Sequence, residues 1–168
     1  IRNTVGAIGV ALTVGIPIQK IKIGLKNFKG VQRRFNKIFT YNKIDFYDDY
    51  AHHPTEIKVV LQGVKQVFNE YEKVCIFQPH RISRLKDLKK DFTYAFKDAD
   101  IVVLCPIYSA GEKIKLGFSY EDFARSIIKN SSVKLFMVEN NHQLANYLKQ
   151  NMYGKKIVVG MGAGSISN

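Results

Sequence analysis

The chain alternates short, continuously apolar runs with stretches whose apolar residues recur at helical spacing. Residues 3–14 carry a face of small residues and predict a helix, with Gly15 placed to end it and Pro17 just beyond. A second short helix is expected over 18–27. The pattern is then broken by "FKGVQRRF" (28–35), where Gly30 and two adjacent arginines suggest a boundary or hinge. Two β-like stretches around Tyr41 and Asn42 predict a hairpin. Pro54 then stands where a helix would begin, and Ile57, Val60, Leu61, Val64, Val67, Phe68 and Tyr71 share its apolar side. From there the alternation is regular. Strands are expected at 73–78, 100–107, 133–139 and 155–165, and helices at 83–96, 119–130 and 141–150. Ser119 is the expected cap of the 119–130 helix.

Apolar strands alternating with helices predict an α/β fold: a mostly parallel sheet with helices on both faces, its first two strands forming a hairpin. In such sheets chemistry gathers beyond the carboxyl ends of the strands. The unusual segments fall there: "DDYAHHPTE" (48–56), "QPHRISR" (78–84), "PIYSAGE" (106–112) and "GMGAGS" (160–165).

Composition narrows this reading only a little. With 168 residues, 46% apolar and 24% charged, the chain can bury a substantial core. The most apolar segment, 5–18, is too short to span a bilayer, and no basic region followed by an apolar run predicts a secretory leader. Cys75 and Cys105 lie in strand-like runs, as expected of reduced core thiols in a cytoplasmic protein. The net charge of +12 fits a nucleic acid, a small polyanion or a lysine-rich proteome. The lysines are scattered, and no aromatic platform lies beside the basic residues, so neither nucleic acid nor membrane is expected as a partner.

"DDYAHHPTE" admits three readings: a metal site, an acid–histidine pair facing a ligand, or a structural loop. Adjacent histidines in an extended segment point opposite ways, and no helical metal-ligand spacing is present, so a metal site is disfavoured. Asp49 could accept from a ribose and His52 could contact an anion or an amine, while His53 has the place of a helix cap before Pro54. In "QPHRISR", His80, Arg81 and Arg84 could clamp a carboxylate or phosphate, or form a solvated basic turn. "GMGAGS" lacks the third glycine of a dinucleotide fingerprint, and no G-x-x-x-x-G-K-[ST] loop occurs in these residues.

In this order and spacing, "FKGVQRRF", "DDYAHHPTE", "QPHRISR", "YSAGE" and "GAGSI" resemble the C-terminal part of the bacterial Mur ligases, over nearly the whole chain. The opening "RNTVGAIGVALTVGI" resembles the last helices of the family's central ATPase domain. The resemblance implies a division into 1–29, the helical tail of that domain, and 30–168, a C-terminal Rossmann-like domain. "DYAHxP" is widespread in the family, whereas its combination with "QPHRxSR" resembles the members that add L-alanine. Members that recycle a tripeptide carry a similar loop without the QPHR turn.

The resemblance further implies an ATP- and Mg2+-dependent bacterial ligase of three domains, joining L-alanine to UDP-N-acetylmuramate through an acyl phosphate. Its phosphate-loop lysine, metal ligands and uridine-binding domain would lie upstream, so the 168 residues alone would be inactive, with no catalytic or metal-ligating residue of their own. Position by position, Asn3 matches an adenine contact. Arg33 and Arg34 match an arginine pair near the nucleotide, with the choice between them open, and Asp49 matches an acid near the ribose. Tyr50, His52, His80, Arg81 and Arg84 match residues around L-alanine and the muramoyl carboxylate. The competing expectations are the tripeptide-adding relative and a self-standing nucleotide-binding module.

Overall fold

The computed structural model describes residues 2–112 and 119–166. The chain divides into two compact units, Ile1–Gln32 and Arg33–Asn168. The first holds α1 (Arg2–Thr13) and α2 (Ile18–Asn27). Gly15 takes φ +80 between them, a left-handed conformation in which a Cβ would be strained. Within this unit Ile21 is buried, while Val5, Val10, Leu12, Val14 and Ile23 are exposed.

The second unit is a six-stranded sheet. Its strands are β1 (Asn36–Tyr41), β2 (Ile44–Asp49), β3 (Glu72–Phe77), β4 (Ile101–Leu104), β5 (Lys134–Met137) and β6 (Lys156–Met161), in the order β1-β2-β6-β3-β4-β5. β1 and β2 are antiparallel and every other pairing is parallel. The hairpin turn is Asn42-Lys43, with both residues at positive φ (50° and 63°) and Tyr41 paired with Ile44. That is the two-residue geometry whose twist matches the flanking strands.

The helices are α3 (Pro54–Val67), α4 (Ile82–Asp87), α5 (Lys89–Tyr94), α6 (Tyr120–Ser131) and α7 (Asn141–Asn151). Alternation along the strands sorts the core into two layers. Cys75, Phe77, Val102, Leu104, Ile157 and Val159 face a layer built from Ile57, Leu61 and Val64 of α3, Leu85, Phe92 and Phe96 of the α4–α5 segment, and Phe123 and Ile127 of α6. Val74, Ile76, Val103, Cys105 and Val158 face the opposite way, where Leu144, Tyr147 and Leu148 of α7 pack against them. Both cysteines are free and buried, and burial pushes their thiols up, Cys105 to about 12, so they are inert core side chains.

Three local readings need correction. The helix expected over 83–96 is two short helices, broken at Leu88, whose backbone (φ −111, ψ 21) leaves helical geometry. On α3, Ile57, Leu61 and Val64 are buried but Val67 is exposed, because the helix ends there with Phe68 as its cap. Among the strands, β5 is an edge strand that exposes Lys134, Phe136 and Met137 rather than a fully buried run.

Candidate functional site

Because β2, β6, β3 and β4 run parallel, their carboxyl ends lie along one edge of the sheet. The segments leaving that edge are 50–53 after β2, 162–166 after β6, 78–81 after β3 and 105–112 after β4. The residues at 33–35 join them from the start of the hairpin, since the backbone N–H of Tyr50 donates to the carbonyl of Arg33 at 2.8 Å.

The two arginines of "QRRF" go opposite ways. Arg33 and Phe35 both have left-handed backbones (φ 57° and 51°). Arg33 turns inward: its Nε donates to Asp48 Oδ2 at 3.1 Å, and its terminal nitrogens donate to the carbonyls of Gly162 (2.5 Å) and Gly164 (3.4 Å). Arg34 is exposed and makes no side-chain hydrogen bond among the described residues, although both guanidinium groups lie over the Tyr50 ring, at 5.0 and 5.9 Å. Asp49 is 3% exposed. One of its carboxylate oxygens accepts from Phe35 N at 2.9 Å and the other from Ala51 N at 2.8 Å. Burial raises its pKa, and those two N–H groups oppose the rise.

"GMGAGS" is built for close approach. A Cβ on Gly162 would stand 2.8 Å from the Gln78 carbonyl oxygen, and one on Gly164 would stand 2.6 Å from Gln78 Oε1 and 2.8 Å from Tyr108 Cγ. Two of its carbonyls point at Arg33, so at those positions the loop offers acceptors to a cation rather than donors to a phosphate. Gln78 Oε1 is buried there without a hydrogen-bond partner among the described residues.

The histidine side is a row of rings. Tyr50 meets His52 edge-on (5.2 Å), His52 meets His80 edge-on (6.0 Å), and His80 stacks on Tyr108 (5.5 Å, 12° between planes). His52 Nδ1 lies 2.9 Å from the Tyr50 carbonyl, which can only accept, so Nδ1 carries the proton and the neutral ring has its lone pair on Nε2. At His80 the relation is reversed. Arg84 Nη1 donates to its carbonyl at 3.1 Å and approaches its Nδ1 at 3.4 Å, so Nε2 is the N–H of the neutral ring. Burial lowers the His80 pKa, and the neighbouring Arg84, His52 and Arg81 lower it further. His53 is a cap: its Nδ1 accepts from Thr55 N, and Glu56 reaches back to the backbone N–H groups of His52 and His53.

Arg81 caps α4 with φ 71°, a strained backbone for a non-glycine residue, and its side chain is exposed. The strain is held from the loop after β4. Arg81 N donates to the Tyr108 carbonyl at 3.1 Å, and Glu112 takes both the backbone N–H (2.9 Å) and the hydroxyl (2.7 Å) of Ser83. Arg81 and Arg84 do not form one fork, because Arg84 folds back on His80 while Arg81 projects from the cap.

The structure therefore brings Arg33, Arg34, Asp49, Tyr50, His52, His80, Arg81 and Arg84 to one edge of the sheet. Asn3 lies exposed on α1 in the other unit. Tyr108, Gln78, Ser83 and Glu112 also belong to the site. The "YSAGE" segment marked Tyr108 and Glu112 by position, but their partners lie 28 and 29 residues away, beyond any local pattern. Among the described residues no group of three or more His, Cys, Asp or Glu side chains converges as metal ligands, and no helix is long and apolar enough to cross a membrane.

Residues 33–164 match the family described as "Mur ligase, glutamate ligase domain". Over 99% of the chain, the sequence is 66% identical to a UDP-N-acetylmuramate–L-alanine ligase of Pelagibacter ubique and spans 36% of that relative's length. A solved UDP-N-acetylmuramate–alanine ligase from Thermotoga maritima superposes with a TM-score of 0.69 at 29% identity, covering 98% of this chain and 34% of that one. A murein peptide ligase from Psychrobacter arcticus superposes at 0.74 with 21% identity, over 96% of this chain and 33% of that one, a likeness of fold.

Proposed function

The chain belongs to the Mur ligase family, and from that membership we propose that it is the C-terminal part of an ATP-dependent ligase that joins L-alanine to UDP-N-acetylmuramate in the bacterial cytoplasm. The chain spans about a third of the length of its relatives, so the reaction belongs to the full-length protein. Support comes from the 66% identity to an alanine-adding relative, from the two buried free thiols, and above all from His52, His80, Arg81 and Arg84 standing together beyond the strand ends.

In this reading ATP phosphorylates the muramoyl carboxylate, releasing ADP, and the amine of L-alanine attacks the acyl carbon. The tetrahedral intermediate then expels phosphate, and the nitrogen loses a proton to leave the amide. Arg34 is the guanidinium available to the nucleotide phosphates, and Arg81 is the one projecting to meet the α-carboxylate. His52 offers a lone pair to the amine N–H, and His80 offers an N–H to a developing oxyanion. Tyr50 forms the wall between the two groups, and Arg84 fixes the His80 ring. Asp49 is committed to backbone N–H groups, so a ribose hydroxyl would have to use a second lone pair of the same carboxylate. Mg2+ would neutralise phosphate charge; the described residues here form no cluster to hold it, and it is assigned to the upstream part with the phosphate loop. Asn3 is proposed to contact adenine from the helical unit, the tail of the central domain. The C-terminal unit would close over ATP held by that domain, orienting the reactants and excluding water.

The test is kinetic. In the full-length protein, Arg84→Ala and His52→Ala should each lower L-alanine-dependent phosphate release by about 100-fold. Unchanged kinetics in both variants would remove the substrate-clamp reading. A tripeptide accepted in place of L-alanine would favour the recycling member of the family instead.

A further inference from the structure

We infer that Arg33 is a positioning residue rather than a ligand: its guanidinium locks the end of β2 to the glycine loop after β6, and by doing so fixes the backbone that presents Arg34 and Tyr50 to the nucleotide. The inference deepens the ligase reading and rests on it for the identity of the nucleotide.

Four observations converge. Arg33 satisfies three acceptors from two separate strand ends: Asp48 of β2, itself buried at 6% exposure, and the carbonyls of Gly162 and Gly164. Its own carbonyl accepts the Tyr50 N–H at 2.8 Å, so the same residue anchors the first position of the histidine loop. The residues on either side of Arg34 both have left-handed backbones, and in this turn Arg33 is half-buried in its contacts while Arg34 is exposed. The carboxylate of Asp49 closes the other end of the segment on Phe35 N. Three of the five N–H donors of the Arg33 guanidinium are engaged in this way, and a phosphate that took those donors would have to displace protein acceptors and leave Asp48 short of one of its partners. Arg34, one residue on, would bind the same phosphate without that loss.

A planar fork is needed for this role. Lysine keeps the charge but is a single point and cannot span Asp48 and two carbonyls. The Arg33–Asp48 link also gives a handle that a ligand contact would lack. If Arg33 positions the loop, removing the Asp48 charge should reproduce the loss of Arg33, because the buried Asp48 carboxylate is an acceptor of the Arg33 guanidinium.

The experiment compares Arg33→Lys, Asp48→Asn, the double variant and Arg34→Lys in the full-length protein, by steady-state kinetics and by hydrogen exchange at the Phe35 and Tyr50 amides. We expect Arg33→Lys and Asp48→Asn each to raise KM for ATP about tenfold, and the double variant to be no worse than either single change. Both should speed exchange at Tyr50 at least tenfold. Arg34→Lys should weaken ATP as much while leaving exchange at Tyr50 unchanged. An Asp48→Asn enzyme with wild-type KM for ATP beside a crippled Arg33→Lys, or additive effects in the double variant, would make Arg33 a direct ligand and overturn the inference. Wild-type protein without ATP turnover in the presence of UDP-N-acetylmuramate and L-alanine would instead refute the ligase reading, and the exchange rates would still report whether Arg33 holds the loop.

Discussion

At the scale of single residues, the charge state of His80 decides what the ring row can do. Burial comes first, and Arg84, His52 and Arg81 add to it, holding His80 below the ordinary histidine value, with Glu112 pulling weakly the other way. Between the lowered value and the ordinary one, the unfolded chain binds more protons than the folded one, so this residue makes stability rise with pH across that window and fall as the solution is acidified through it. Protonation would also convert the Nδ1 that faces Arg84 from acceptor to donor. A carbon–proton NMR titration, with the His80→Gln variant assigning the resonance, should give a midpoint below that of a free histidine peptide. A midpoint at or above it would show that burial and the neighbouring cations do not disfavour the charged ring. This level was half legible in the sequence. His52, His80 and the arginines were legible as a group, because rare polar residues clustered after apolar runs. Which arginine turns inward was not, because that choice is set by positive φ at Arg33 and Phe35, residues whose type carries no signal for it. The capping role of His53 was readable, since Pro54 and Glu56 supply the other two parts of the box.

At the scale of elements, the glycines separate positions that need the absence of a side chain from positions that merely lack one. Gly162 and Gly164 pack against Gln78 and Tyr108 with no room for a methyl group. Gly164→Ala should destabilise the fold by about 1–3 kcal/mol. Gly162→Ala should cost more, because its nearest obstacle is backbone rather than the movable end of a side chain. Gly63 is the opposite case: it lies mid-helix on an exposed part of α3, and nothing stands within 4 Å of an added Cβ. Gly63→Ala should stabilise by roughly 0.5–1 kcal/mol. Urea unfolding midpoints order the three variants, and an equal loss at Gly162 and Gly63 would contradict the packing of the terminal loop. The mostly parallel sheet and the hairpin followed from the apolar pattern, but the break at Leu88 did not. Leu85, Leu88, Phe92 and Phe96 continue one helical stripe through it, and the change of direction brings Phe92 and Phe96 beneath Phe77, with Phe92 also against Phe123, a tertiary demand invisible to local spacing.

At the scale of the whole molecule, the two units differ in self-sufficiency. Among the described residues, the largest fully buried side chains lie within Arg33–Asn168, including Phe77, Phe92, Phe96 and Phe123, each contributing roughly 1.5–3 kcal/mol on leaving water. The two helices of Ile1–Gln32 bury Ile21 and leave a line of valines, leucine and isoleucines open to solvent. Such a pair cannot offset the entropy of ordering about 30 residues by itself. Residues 33–168, prepared alone, should therefore fold with a urea midpoint and slope within error of those of the 168-residue chain, and should be the more soluble of the two, because the exposed apolar residues of α1 and α2 are gone. On the proposed ligase reading, neither form should hydrolyse ATP. If removing 1–32 lowered the midpoint, the helical unit would be part of the folding core rather than an appendage. The family match over 33–164 would then understate the cooperative domain, and the Asn3 assignment would need to be argued from within one body.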